Sequence, residues 1–229
     1  MITYSENFLI ALNDYEAFLS KNYPQKAILK LVGDRYKLTG TERTMLYRGT
    51  ASKENAERRF YKLVSVANLK GEILHIDALN QLLTISAYLL GSPVFLCKDG
   101  FLRDASELHG KAIEALLPIR AFEIVMAYLS KIENSGMTFY FDIQVDGCKE
   151  YCDKLIQKIP DFIIQPEIIL SKKVDNDLIC LQEGIISTSD SAIIDKSQLS
   201  VFDLARNTLE YHFWPEFFDL KRITTDSQI

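Results

Sequence analysis

Three short apolar segments of this chain end in, or lead directly into, an aspartate. Glu72-Ile-Leu-His-Ile-Asp77 is one, Thr138-Phe-Tyr-Phe-Asp142 is the second, and Gly184-Ile-Ile-Ser-Thr188 runs through Ser189 into Asp190. A further acidic pair, Asp175 and Asp177, follows the apolar segment Glu167–Leu170. Carboxylates crowded into one volume repel one another, so either their pKa values rise or a cation neutralises them. Hard oxygen donors of this kind suit Mg²⁺ or Mn²⁺, ions that can activate water and stabilise an in-line displacement at a phosphodiester. Taken singly, each acid says little. Asp190 also fits the N-cap of a following helix, a common role for aspartate.

The elements that would position these acids follow from the apolar pattern. Strand-like segments without period-two polarity alternate with helical ones: Leu79–Leu90, Val94–Cys97, Ile119–Ile132, Glu150–Ile159, Asp177–Gln182 and Val201–Phe213. This alternation predicts an α/β domain with a parallel sheet covered on both faces. Ligand sites of such sheets lie beyond the carboxyl ends of the strands, where Asp77, Asp142, Asp177 and Asp190 would meet, with Asp175 as an alternative to Asp177. The polar stretch from Asp99 to Gly110 is long for a turn. Its Arg103 could bind a phosphate oxygen and its Asp104 could join the acids, or the stretch is tied by a local Arg–Asp pair.

The first 65 residues have a different texture. Phe8, Leu9, Leu12, Tyr15, Phe18 and Leu19 recur at helical spacing. Lys26–Val32 forms a short helix after Pro24, with Gly33 as its expected C-cap. Thr39 and Glu42 form a capping box that opens a third helix through Tyr47. The outline resembles a helix-turn-helix, and residues 52–64 follow as a further helix or connector. This module carries 11 Lys and Arg against 7 Asp and Glu, while the remaining residues carry 15 against 24. A basic module (1–65) attached to an acidic domain (66–229) suggests two tasks. Lys26, Lys30, Arg35, Lys37, Arg43 and Arg48 are candidates for phosphate contacts, which need no base readout.

Other features narrow the function. Cys97, Cys148, Cys152 and Cys180 make no disulfide framework, and His75, His109 and His212 are too scattered to complete a zinc site with them. His75 sits inside an apolar strand, as a core histidine would, and His212 lies in an aromatic group with Tyr211, Phe213 and Trp214. No apolar run approaches the roughly 18 residues of a membrane span. The start of the chain lacks the basic and small-residue pattern of a signal peptide, so a cytoplasmic location is expected.

Four short motifs also resemble those of the PIN-like nucleases of the NYN type. Ile76-Asp77-Ala78-Leu79-Asn80 resembles their strand–Asp–Gly–x–Asn motif, and Phe141-Asp142 their second acid-bearing strand. Asp175–Ile179 resembles the acidic helix start that comes next, and Ser187-Thr188-Ser189-Asp190 the later Thr-Ser-Asp motif. The resemblance implies a PIN-like three-layer domain in which the acids hold Mg or Mn while Asn80, Thr188 and Ser189 support them. Ala78 departs from the usual glycine, which is costly if that position needs a positive φ or close approach of substrate. Across residues 5–212 the chain also resembles a prokaryotic family whose N-terminal part is the domain of unknown function four-three-four. That likeness rests on YPQKAILKLVGDRYKLTGTERTMLYRG, on IDALNQLLTISAYLLGSPVFLCKDGFLRDASELHG and on STSDSAIID.

The expected function is a divalent-metal-dependent phosphodiesterase acting on RNA ahead of DNA. The alternative is a PIN-like domain without catalysis that binds nucleic acid or protein. No membrane partner is expected, and a homo-oligomer is compatible with the sequence.

Overall fold

The computed structural model describes residues 4–106, 117–159 and 165–223, so His109 and Gly110 lie outside the described residues. Two compact units share the chain. The first comprises Met1–Tyr61, Gly91–Glu107 and Glu216–Ile229; the second comprises Lys62–Leu90 and Leu108–Pro215.

The first unit opens with helices α1 (Glu6–Ser20), α2 (Gln25–Arg35) and α3 (Gly40–Gly49), and α4 (Lys53–Lys62) follows. Phe8, Leu12 and Tyr15 of α1 meet Ile28, Val32, Met45 and Leu46 in one buried cluster, the faces that the helical spacing predicts. The capping box forms: the Thr39 side chain accepts from the Glu42 N–H at 3.2 Å, and Glu42 accepts the Thr39 N–H at 2.8 Å. Gly33 is not a C-cap. It lies inside α2, where an added Cβ would stand 2.2 Å from the Arg43 guanidinium. The glycine leaves room for Arg43, which lies across the helix and would have to shift to admit a side chain.

The same unit holds a three-stranded sheet. Strand β2 (Val94–Leu96) pairs antiparallel with β3 (Leu102–Asp104) and parallel with the short C-terminal β7 (Phe218–Asp219). Val94–Cys97 is therefore a strand, as its apolar run predicts, but it does not join the series that carries the acids. Phe95, Cys97 and Leu220 complete the core of the helical module.

The second unit is built on a four-stranded, all-parallel sheet of β1 (Ile73–Asp77), β4 (Gly136–Asp142), β5 (Glu167–Ser171) and β6 (Ile185–Ser187). Their spatial order is β5-β4-β1-β6. The helices between them are α5 (Ala78–Leu89), α6 (Leu117–Leu129), α7 (Cys148–Ile156), α8 (Val174–Ile179) and α9 (Ser191–Lys196), and α10 (Leu204–Phe213) closes the unit. Phe139 and Phe141 face α6 and α7 through Phe122 and Tyr151, whereas Tyr140 and Ile186 pack on Val174, Leu178 and Ile193 from α8 and α9. Alternate residues of one strand thus serve opposite faces, and both faces are covered by helices. The result is an α/β domain with a helical module before it. Among the described residues, no helix is long and apolar enough to cross a membrane.

Candidate active site at the carboxyl edge of the parallel sheet

Counted along the chain, the four strands run third, second, first, fourth across the sheet, so the winding reverses between β1 and β6. At such a switch point the connections leave to opposite sides and open a crevice beyond the strand ends. The residues after β1 and β6 meet there. The Thr188 hydroxyl donates to Asp77 Oδ2 at 2.8 Å, and the Asp190 N–H donates to Thr188 Oγ1 at 3.1 Å. The Ser189 N–H and hydroxyl both donate to Asn80 Oδ1, at 2.9 and 3.0 Å. Five residues from two distant segments are thereby locked together: Asp77, Asn80, Thr188, Ser189 and Asp190.

The electrostatics of the edge are those of an uncompensated acidic cluster. Asp77 keeps a little solvent-accessible surface, yet its carboxylate is densely surrounded by protein. That burial raises its pKa to about 7; Asp190 and Asp175 add to the rise, and the Thr188 hydroxyl and the Asn80 N–H oppose it. Burial likewise raises Asp175, with Asp190 and Asp142 as further acids acting on it and Lys196 opposing. The set that interacts is therefore Asp77, Asp142, Asp175 and Asp190, drawn from the ends of β1 and β4, the start of α8 and the turn after β6.

Asp177 is placed differently. It accepts the Ser171 hydroxyl at the end of β5, and its charge acts on Tyr140. Of the two neighbouring acids it is Asp175 that faces the cluster. Asp190 also accepts the Ala192 N–H at 2.6 Å and caps α9, so the N-cap read from the sequence forms on a residue that also belongs to the cluster. Ala78 is the first residue of α5 and is not among the described residues with positive φ. The departure from glycine therefore costs no backbone strain.

Arg103 and Asp104, expected in a long polar stretch, are the last two residues of β3. Both lie in the first unit, where buried Arg103 pairs with Asp99 at 2.8 Å and Asp104 pairs with Arg48 at 3.0 Å. The stretch is thus tied by a local Arg–Asp pair, the alternative that its sequence offers. Within the basic set, Arg48 holds this ion pair with Asp104, and Arg43 binds Asp34 at 3.0 Å and the Leu38 carbonyl. Lys26, Lys30, Arg35 and Lys37 remain exposed. The two described histidines each pack beside a protein partner. His75 is buried with Nδ1 3.3 Å from the Tyr140 hydroxyl, and His212 Nε2 lies 3.0 Å from the Ile124 carbonyl. The four cysteines are free thiols.

Two residues of the site escaped the sequence reading. Ser171 was passed over because a serine at a strand end carries no signal alone. Gln81 is fully buried, donating to Asn80 Oδ1 at 2.8 Å and accepting the Ala205 N–H at 2.8 Å. A long amide one turn into α5, ahead of Leu82, Leu83 and Ile85, is a visible signal, since buried polar groups need partners.

Carboxylates and hydroxyls are the donors a hard divalent cation takes. Among the described residues, however, no three His, Cys, Asp or Glu side chains converge closely enough to hold an ion between them. The donor set fits an ion of the Mg²⁺ type, which is bound through one or two carboxylates and keeps several waters.

A parallel sheet with acids at its switch point defines a class of α/β domain built to place charge at one edge. Residues 66–207 match the family described as Domain of unknown function (DUF5616), and the chain belongs to that family. Residues 7–62 match the family described as Protein of unknown function (DUF434). An uncharacterized protein of Methanocaldococcus jannaschii is 28% identical over 202 residues, which span 88% of this chain and 96% of that protein. No solved structure matches the chain.

Proposed function

We propose that the carboxyl edge of the parallel sheet is the site of a divalent-metal-dependent phosphodiesterase, of the PIN-like kind, with RNA as substrate ahead of DNA. The observation that carries this reading is Asp77. It is held in a dense protein environment beside Asp190 and Asp175, so that burial and like charge together lift its pKa to about 7. A carboxylate kept in that state is poorly placed for stability and well placed to gain a cation. Asp77 and Asp190 would hold the ion, with Asp175 and Asp142 as neighbouring acids and Asp177 supporting the edge through Ser171. A bound Mg²⁺ or Mn²⁺ supplies a Lewis acid and a water of lowered pKa. The chain's own groups do the positioning: Thr188 orients the Asp77 carboxylate by its hydroxyl, and the Asp190 N–H orients Thr188 in turn. Exposed Lys26, Lys30, Arg35 and Lys37 are the phosphate contacts proposed for the helical module.

Calorimetric titration with Mn²⁺ tests the site. Saturable binding is expected for the unmodified protein, with a loss on the order of tenfold or more in Asp190→Asn, as for removal of one ligand. Single-stranded RNA cleavage that continues unchanged in both Asp77→Asn and Asp190→Asn would sink the proposal.

The separation of the acids favours a second reading, a nucleic-acid-binding domain without turnover, since no three of them meet. Its signature is RNA binding that weakens steeply with salt and no cleavage at any Mn²⁺ concentration.

A further inference from the structure

The arrangement around Asn80 narrows the role its motif implies. The resemblance to the nucleases makes Asn80 a support for the acids and for whatever they hold, a task open to its side-chain oxygen or to its side-chain N–H groups. That oxygen is already taken. It accepts from Gln81 Nε2 at 2.8 Å, from the Ser189 N–H at 2.9 Å and from the Ser189 hydroxyl at 3.0 Å. An amide oxygen has two lone pairs, so three donors saturate it. Nor can the amide be turned around, because a backbone N–H such as that of Ser189 only donates and must face an acceptor.

The same logic fixes Gln81. The Ala205 N–H, in the first turn of α10, donates to Gln81 Oε1, which obliges Gln81 Nε2 to point at Asn80. Gln81 is fully buried, so this bridge is shielded from water. Two backbone N–H groups, one from α10 and one from the turn after β6, therefore set the orientation of the Asn80 amide. Its Nδ2 makes no hydrogen bond with any of the described residues and is left with two N–H donors at the half-buried mouth of the switch point.

We infer that Asn80 presents its side-chain N–H groups to a non-bridging phosphate oxygen of the substrate, that it is not a metal ligand, and that Gln81 is the positioning residue that aims it. The inference rests on the phosphodiesterase reading for the nature of the anion. A donor placed among carboxylates answers a need of that chemistry, since the acids repel the phosphate they must act on and an oriented N–H pair offsets part of that repulsion.

The test follows the Asn80 side-chain NH₂ resonances in ¹⁵N-labelled full-length protein, identified by their disappearance in Asn80→Ala. Inorganic phosphate is titrated with and without Mg²⁺, and Mn²⁺ binding is measured in parallel. Phosphate is expected to move the Asn80 pair, and to move it further than Mg²⁺ alone does. Gln81→Met is expected to weaken phosphate binding on the order of tenfold, the loss for one misdirected charge-assisted hydrogen bond, with Mn²⁺ binding kept. Asn80 resonances that ignore phosphate, with and without Mg²⁺, would overturn the inference. The two proposals fail separately: phosphate shifts without any Mn²⁺ binding leave the donor role standing and remove the metal. Should Gln81→Met not fold, the titration of the unmodified protein decides alone.

Discussion

Each unit of the molecule encloses an aspartate, and the two are treated in opposite ways. Asp99, 2% exposed in the first unit, meets Arg103 at 2.8 Å and Arg59 at 3.3 Å. Burial alone would raise its pKa, but the two guanidinium groups outweigh that, and its pKa lies below the usual value. Asp77 in the second unit receives one hydroxyl and a backbone N–H, and its nearest charges are other acids. The first arrangement completes its own charge balance; the second leaves a deficit of positive charge. Structural carboxylates are matched inside the fold, and a carboxylate left unmatched marks a place where something from outside is to bind.

The largest expected effect lies on the matched side. Asp99→Ala leaves the Arg103 guanidinium buried without its counter-charge, which costs about 3–5 kcal/mol. Urea denaturation at neutral pH reads this as a large drop in midpoint, and a loss below about 1 kcal/mol would mean that Arg103 finds other compensation.

On the unmatched side the sign reverses. A carboxylate whose pKa is raised on folding binds more protons folded than unfolded. Its contribution to stability is therefore neutral below about pH 4 and becomes more unfavourable up to its folded pKa of about 7. Asp77→Asn is expected to stabilise the protein by roughly 1–3 kcal/mol at pH 8 and by almost nothing at pH 4. The Asp99 pair runs the other way, since a lowered pKa stabilises at neutral pH and that gain is lost as acid protonates the group. A pH series of denaturation midpoints in Asp77→Asn and the unmodified protein separates the two slopes. If Asp77→Asn destabilises at pH 8, Asp77 is already compensated and the contrast between the units falls.

A cation should act on the second unit alone. At a concentration ten times its dissociation constant, a ligand specific to the folded state adds about 1.4 kcal/mol. Mn²⁺ is expected to raise the melting temperature of the unmodified protein accordingly, and to leave Asp77→Asn with Asp190→Asn unchanged. An equal rise in both proteins would place the ion elsewhere.

How far these regions could be read from sequence follows from the range of the interactions that build them. The strand ends were legible because apolar runs stopped by aspartate are local, and the motifs around Asp77 and Asp190 named residues that the fold brings into contact. The helices of the first unit were legible from spacing and from the Thr39–Glu42 box. Val94–Leu96 was legible as a strand but not as part of a second sheet, because its partners include Phe218 and Asp219, more than a hundred residues away. Whether Asp175 or Asp177 faces the cluster was open, since two acids in one helical turn differ only in direction. Gly33 looks like a cap because it stands near a helix end, and the Arg43 side chain that lies over it comes ten residues later. Gln81 was overlooked because its partners lie on either side of it in the chain, at Asn80 and, far beyond, at Ala205.

The smallest expected effect isolates what the unmatched carboxylate does receive. The Thr188 hydroxyl is the side-chain donor to Asp77, at 2.8 Å, and Thr188 is itself fully buried. Thr188→Val keeps the shape and removes the hydroxyl, so the charged form of Asp77 loses its side-chain donor and keeps only the Asn80 N–H, against the repulsion from Asp190 and Asp175. Its titration midpoint, followed through the side-chain carboxyl carbon by ¹³C NMR, should move up from about 7 by roughly one pH unit, since one pKa unit corresponds to about 1.4 kcal/mol, within the range for a hydrogen bond to a charged group. Below pH 4, where Asp77 is protonated in both proteins, the same substitution should cost about 1 kcal/mol, from the lost hydrogen bond of the Asp190 N–H to the hydroxyl. A midpoint that stays put would assign the orientation of Asp77 to the Asn80 backbone N–H instead. A midpoint near 4 in the unmodified protein would remove the deficit of charge on which the contrast with Asp99 depends.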